Sequence, residues 1–186
     1  MAYTAFDRFA AWRRFRAALP HIRQGARVCD VGCGLGARFL QRARSHIGFG
    51  LGLDYQVIAR TSNSPQVVLT DITHGLPVRS GQFDHVVMLA VVEHLSEPQK
   101  VLRESFRILA PGGSLILSWP NAAVDPILNV LHRVGVVSDE MESEQHQQRL
   151  TVDQLQRMLR DFGFKRFRHR TFEIGLNNLL VAYKPH

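Results

Sequence analysis

The stretch Val28-Cys29-Asp30-Val31-Gly32-Cys33-Gly34-Leu35-Gly36 decides the fold of this 186-residue chain. Arg27 to Val31 is a short apolar run with strand character. The glycines after it break the strand, and Phe39, Leu40 and Ala43 then recur at helical spacing, giving a strand, a glycine loop and a helix in succession. Such a loop lets backbone N–H groups approach a ligand, and dinucleotide-binding proteins use a similar one for pyrophosphate. Here the glycines fall at 32, 34 and 36. The dinucleotide spacing would place the third at 37, which is Ala37, so that fingerprint fails by one residue.

Outward from the loop the alternation continues. Ile47 to Leu53 reads as a second strand ending at Asp54 and, after a short helical turn, Gln66 to Thr70 reads as a third ending at Asp71. Phe83 to Val91 is a continuous apolar run, as expected of a central parallel strand covered on both faces, and it leads into Glu93-His94. Residues 98–109 carry Val101, Leu102, Phe106 and Leu109 at helical spacing. Pro111-Gly112-Gly113 predicts a turn before the strand Ser114 to Trp119. Thr151 and Gln154 form a capping box for a helix through Leu155, Met158, Leu159 and Phe162, stopped by Gly163. Lys165 to Glu173 and Asn177 to Lys184 pair as an antiparallel hairpin. The expectation is an α/β three-layer sandwich with a mostly parallel seven-stranded sheet and an antiparallel C-terminal hairpin, its ligand crevice beyond the carboxyl ends of the strands.

Residues 4–19 place Phe6, Phe9, Trp12, Phe15 and Leu19 at three- and four-residue steps among arginines, which predicts a basic amphipathic helix closed by Pro20. Its aromatic face is expected to dock on the protein's own core or cover a ligand, although such a helix can also lie on a membrane. We read residues 1–186 as one domain, with 1–24 as a helical cover and 120–150 as a lid or substrate loop. The lid includes a short helix at 126–134 and a polar, acidic stretch from Ser138 to Gln148; His132 and His146 are candidates to touch substrate, and Glu140, Glu142 and Glu144 either bind a cationic acceptor or form a solvated face.

Composition narrows the classes. No apolar run approaches the roughly 20 residues of a membrane span, and the start has no secretory signal, so a cytoplasmic protein is expected. Cys29 and Cys33 have no partner cysteine or histidine pair at zinc spacing, which predicts two free thiols and no metal. The net charge of +7 belongs to the ends. Residues 1–27 carry six Arg against Asp7, residues 151–186 seven Lys or Arg against three acids, and residues 28–150 are slightly acidic. That charge is either a solvated surface or a site for an anionic substrate, RNA or an acidic membrane.

Asp30 argues against pyrophosphate, which it would repel, and for the cationic amino-acid end of S-adenosylmethionine. Alternatively it satisfies loop N–H groups. Asp54 stands where an acidic residue accepts from ribose hydroxyls, and Asp71 where one accepts from an adenine amino group. Taken singly, either is also a helix cap.

On these residues the chain resembles class I S-adenosylmethionine-dependent methyltransferases, in particular the small-molecule group, from Arg27 to Lys184. The likeness rests on the glycine loop, Gly52-Leu53-Asp54, Asp71-Ile72, Phe83-Asp84, Val91-Val92-Glu93-His94-Leu95 and Leu109-Ala110-Pro111-Gly112-Gly113. It implies S-adenosylmethionine as cofactor, with Asp30, Gly32, Cys33, Gly34 and Gly36 around the methionine part. Asp54 and the adjacent Tyr55 would lie at the ribose, Asp71 and Ile72 at the adenine, and Leu89 and Ala90 near the reactive methyl. His94 is the candidate general base for a hydroxyl acceptor, unless it and Glu93 only brace the next helix. The fourth strand lacks the Asn/Asp-Pro-Pro-aromatic motif of enzymes that methylate base amines. A small-molecule or lipid-linked acceptor is therefore expected first, RNA second, and a non-catalytic cofactor-binding protein third.

Overall fold

Side chains alternate across a β-strand, so a strand covered by helices on both sides must be apolar at every position. The central strands follow that rule over Val28-Cys29, Val86-Val87-Met88 and Leu115-Ile116-Leu117, all fully buried, and depart from it at Asp30 and His85. The computed structural model describes residues 5–56, 65–121 and 150–186. In it β1 (Arg27–Val31) lies between β2 (Phe49–Asp54) and β4 (Phe83–Leu89), all parallel. β3 (Gln66–Leu69) borders β2, and β5 (Leu109–Pro120) borders β4. β7 (Asn177–Tyr183) pairs antiparallel with both β5 and β6 (Arg166–Phe172), completing a seven-stranded sheet in the order β3-β2-β1-β4-β5-β7-β6.

Val86 and Met88 point to one helical layer, where they meet Val101, Leu102 and Ile108 of α3 (Pro98–Ile108) and Leu155 and Leu159 of α4 (Val152–Asp161). Val87 points the other way, with Val28, Ile116, Leu179 and Val181. On that side it meets Ala17 and Ala18 of α1 (Ala5–Ala18) and Phe39, Leu40 and Ala43 of α2 (Arg38–Ala43). The three-layer α/β architecture is the one expected. Because β1 continues outward to β2 while β4 continues the opposite way, the strand order reverses beside β1, and a crevice opens there at the carboxyl edge.

Three expectations need correction. The sheet-facing side of α1 is made of alanines: Ala10, Ala17 and Ala18 are buried, whereas Phe9 is 55% exposed. Small residues let the helix approach the sheet closely, and of the expected face Phe15 and Leu19 join the core, Phe15 meeting Phe39 edge-on at 5.5 Å. Secondly, Pro111-Gly112-Gly113 does not precede β5 but interrupts it. Phe83 pairs with Leu109 and His85 with Ser114, so the extra residues bulge out, with Gly112 at φ +74°. Thirdly, β4 ends at Leu89, because Ala90 adopts φ +58° and turns the chain out of the sheet.

The capping box is present: Gln154 N donates to Thr151 Oγ1 (3.2 Å) and Thr151 N to Gln154 Oε1 (2.9 Å). Gly163 at φ +107° ends α4 against the Phe106 ring. The helical turn after Asp54, the helix at 126–134, and His132, His146, Glu140, Glu142 and Glu144 lie outside the described residues.

His85, buried on β4, ties the amino-terminal segment to the sheet. Arg23 N donates to its Nε2 (3.1 Å), which leaves the proton on Nδ1 to donate to Ser114 Oγ (2.8 Å). Burial first, and the Arg23 charge second, lower its pKa to about 4. The unfolded chain therefore binds this proton more readily between pH 6.5 and about 4, and stability falls as pH drops through that window. Urea midpoints at pH 7.5 and 5 should differ more for the native chain than for His85→Gln, which keeps a donor and an acceptor but does not titrate. Equal differences would contradict this assignment.

Candidate functional site

The loop after β1 is shaped by what lies beneath it. Gly32 N and Cys33 N both donate to Leu53 O, at 2.8 and 3.3 Å, fastening the loop to the end of β2. Gly32 has φ +72°, and a Cβ there would lie 2.5 Å from Val91 Cγ2. The position is therefore closed to any other residue on two counts. Gly34, at φ +66°, would place a Cβ with nothing within 4 Å, so this part of the loop looks into open space. Ala37 also takes the left-handed conformation (φ 46°, ψ 52°) as it caps α2.

Cys33 packs on β2 where Gly52 leaves room, its Sγ being 2.6 Å from where a Cβ on Gly52 would lie. Cys29 and Cys33 are both free thiols. Burial, and then the Asp30 carboxylate, push both well above the usual thiol range, which disfavours the thiolate at both positions.

Two of the three predicted carboxylates come together under this loop. Asp30 is 2% exposed, and its Oδ2 has no hydrogen-bond partner. Burial first, and the neighbouring Asp54 second, raise its pKa to about 8. A sealed carboxylate with an open valence is completed by a cation that donates hydrogen bonds. Asp54 is also buried and accepts from Gly34 N at Oδ2 (2.8 Å) and from Gln56 N at Oδ1 (2.9 Å). It holds the loop in shape while each oxygen keeps a lone pair.

Asp71 stands apart on an exposed rim. It caps the short 3-10 turn Ile72–His74, accepting from Thr73 N (2.9 Å) and Thr73 Oγ1 (2.7 Å), with His74 Nδ1 at 2.9 Å. These bonds, the Thr73 hydroxyl foremost, hold it below the usual carboxylate range. Ile72 packs against the core on the α3 side, and Tyr55 extends into solvent just beyond Asp54.

Across the crevice, Leu89 is half-buried and Ala90 carries the strained backbone that ends β4, its N–H donating to Ser118 O at 2.9 Å. Strain of this kind persists where surrounding packing enforces it, and it concentrates at functional sites. Next comes the 3-10 turn Val92–His94. It buries Glu93 and leaves the His94 side chain 29% exposed, with Nε2 3.9 Å from Glu93 Oε1. α3 begins at Pro98 after Glu97, whose side chain makes no cap.

Sequence reasoning missed two residues here. Val91 roofs Gly32. Ser118, level with Leu89 on β5, has a fully buried Oγ with no partner. The readable signal for Ser118 is a hydroxyl inside the apolar run Leu115-Ile116-Leu117-Ser118-Trp119.

Comparison with known proteins agrees with this geometry. A family profile described as a methyltransferase domain matches residues 3–167. A probable tRNA methyltransferase 9B of Bos taurus is 32% identical over 114 residues, which is 58% of this chain and 24% of that protein, so the match spans about a quarter of the relative's length. The ubiquinone/menaquinone biosynthesis C-methyltransferase UbiE of Pasteurella multocida is 24% identical over 212 residues, covering 97% of this chain and 77% of its own. Among solved structures, a SAM-dependent methyltransferase from Archaeoglobus fulgidus superposes with a TM-score of 0.74 at 18% identity, over 96% of this chain and 94% of that one.

The contact between Gly32 and Val91 is open to direct test. Gly32→Ala should destabilise the protein by more than about 1 kcal/mol in urea unfolding, from the positive φ and the clash together. Adding Val91→Ala should recover part of the loss. A neutral Gly32→Ala would contradict the packing described.

Proposed function

Because the chain belongs to the methyltransferase-domain family, whose methyl donor is S-adenosylmethionine, we propose that it transfers that methyl group to a small-molecule or lipid-linked acceptor by in-line displacement. The observation that carries this reading is Asp30: a fully buried carboxylate with an unpartnered oxygen beside an open glycine loop. The residues present fit the donor. Its ammonium group gives Asp30 the cation it lacks, whereas a pyrophosphate would meet two buried acids, Asp30 and Asp54.

In this reading Gly32, Cys33, Gly34 and Gly36 cradle the methionine part, and the free lone pairs of Asp54 accept from the ribose hydroxyls, with Tyr55 alongside. Asp71 and Ile72 border the adenine, and Leu89 and Ala90 line the wall near the reactive carbon. Asp71 can serve there with the one lone pair its own turn leaves unused, on Oδ2.

When bound, the cofactor supplies a methyl group on a sulfonium, an electrophile with a good leaving group. The protein's share is then mainly to orient the nucleophile and exclude water. Where the acceptor is a hydroxyl, His94 takes its proton at Nε2, and the buried Glu93 carboxylate beside it favours the imidazolium that forms.

The small-molecule or lipid-linked acceptor is favoured by the end of β4, Leu89-Ala90-Val91-Val92, which has none of the motif used on base amines, and by the near full-length likeness to a quinone C-methyltransferase. An RNA acceptor is the second reading, supported by the arginine-rich ends and by the name of the bovine relative.

Isothermal titration should show S-adenosylmethionine binding, and Asp54→Ala should weaken it by about tenfold or more, through lost ribose contacts and a loosened loop. Binding of NADH in its place would overturn the reading. With a hydroxyl acceptor, His94→Gln should lower kcat by about a hundredfold and remove the acid limb of the pH profile. An unchanged profile would reduce His94 to bracing the turn.

A further inference from the structure

α1 and β6 lie side by side and run in opposite directions. Arg170 Nη2 donates to Ala17 O (2.9 Å), and Arg13 Nε is 3.7 Å from Glu173 Oε1. Stepping from Ala17 back to Arg13 along α1 therefore climbs β6 from Arg170 to Glu173, towards the carboxyl edge that holds the crevice. Phe9, one helical turn further, stands about 6 Å beyond Arg13 at the same corner.

The charge along the flank that α1 and β6 share, leading to this corner, is one-sided. Arg166, Arg168 and Arg170 alternate along β6, so they share the face turned to α1, and all three are exposed, as are Arg8 and Arg16. Tyr183 anchors two of the guanidinium groups, with Arg166 at 4.3 Å and Arg168 at 6.0 Å from its ring. Among the described side chains, α1, β6 and the turn after it contribute one carboxylate, Glu173, and Arg13 is paired with it. The positive field reaches His21, whose pKa is lowered by burial first and then by Arg170 and Arg168.

Two large apolar side chains project from the same corner. Phe9 is 55% exposed, and Ile174, at the tip of the β6–β7 turn, is fully exposed. Ile174 is also held at φ +55°, a left-handed backbone that is costly for a β-branched residue. The turn thus keeps an aliphatic side chain in water at the expense of strain, beside the Arg13–Glu173 pair.

We propose that this corner docks on an anionic membrane surface, with Phe9 and Ile174 entering the acyl boundary and Arg8, Arg16, Arg168 and Arg170 meeting the headgroup phosphates. The docking deepens the lipid-linked reading of the acceptor and takes its purpose from it, since it brings the mouth of the crevice to the bilayer. Nucleic acid would be drawn to the same arginines. An exposed isoleucine, however, offers neither a π-face for base stacking nor a hydrogen bond to a phosphate, whereas it gains by entering a bilayer.

The full chain should sediment with vesicles of phosphatidylcholine containing about a third phosphatidylglycerol, and not with phosphatidylcholine alone. Arg8→Glu with Arg168→Glu should reduce the partition coefficient about tenfold or more. Ile174→Asn, which relieves the backbone strain and so keeps the fold, should reduce it severalfold. Unchanged S-adenosylmethionine binding in both variants would show the fold intact. Docking is overturned if the native chain stays in solution with the anionic vesicles or if the variants partition like it. It is also overturned if a single-stranded RNA oligonucleotide binds more tightly, through the same arginines and regardless of Ile174. The vesicle assay needs no turnover, so methylation of a water-soluble acceptor would remove the lipid-linked reading while leaving vesicle binding to stand or fall alone.

Discussion

Asp30 is sealed from water with one oxygen unpartnered, and the folded protein tolerates it by holding the proton up to about pH 8. The unfolded chain ionises near pH 3.8, so between those values this side chain costs more stability the higher the pH. A hydrophobic residue of similar size would remove that cost. The group makes physical sense where a bound cation provides the partner that the apo fold withholds, which turns a local penalty into ligand affinity. In the proposed reading, the loop and the neighbouring Asp54 shape the site of that exchange. Asp54 accepts one backbone amide at each oxygen, from Gly34 and from Gln56, and so holds the loop beside Asp30 in shape.

The sheet order is what brings these groups together. With β2 and β4 flanking β1 in parallel, their carboxyl ends lie on one edge, so Asp30, Asp54 and the strained Ala90 share that edge although they are far apart in sequence. Gly32 lets Val91 from β4's end close down on the β1 loop, and Gly52 lets Cys33 close down on β2. The crevice is held from two sides by side chains filling the space that two missing Cβ atoms leave. α1 covers the neighbouring part of the sheet, its alanine face packed inward while Arg8, Arg16 and Phe9 stay exposed.

Much of this was legible in the sequence because it follows from local rules. Strict strand and helix periodicities gave the layers, Thr151 and Gln154 the start of α4, and the glycine spacing together with Asp30 and Asp54 the ligand class. What was not legible depends on tertiary contact. Periodicity along α1 favours the large apolar residues as its inner face, while close packing on the sheet selects Ala17 and Ala18. The bulge at Pro111-Gly112-Gly113 reads as a turn because a local signal does not say whether the strand resumes in register. Asp71 lies just past the carboxyl end of β3, but its capping of Ile72–His74 depends on Thr73 and His74 turning back to it. Ser118 could have been flagged as a polar residue in an apolar strand, although only the pairing of β5 with β4 places it level with Leu89.

Isothermal titration of S-adenosylmethionine at pH 7, in two buffers of very different ionisation enthalpy, tests the central claim most directly. If Asp30 gives up its proton to receive the cation, binding releases close to one proton, and the observed enthalpy shifts with the buffer accordingly. Asp30→Asn should bind more weakly and show no such shift. Buffer-independent binding by the native protein, or undiminished affinity in Asp30→Asn, would contradict the account.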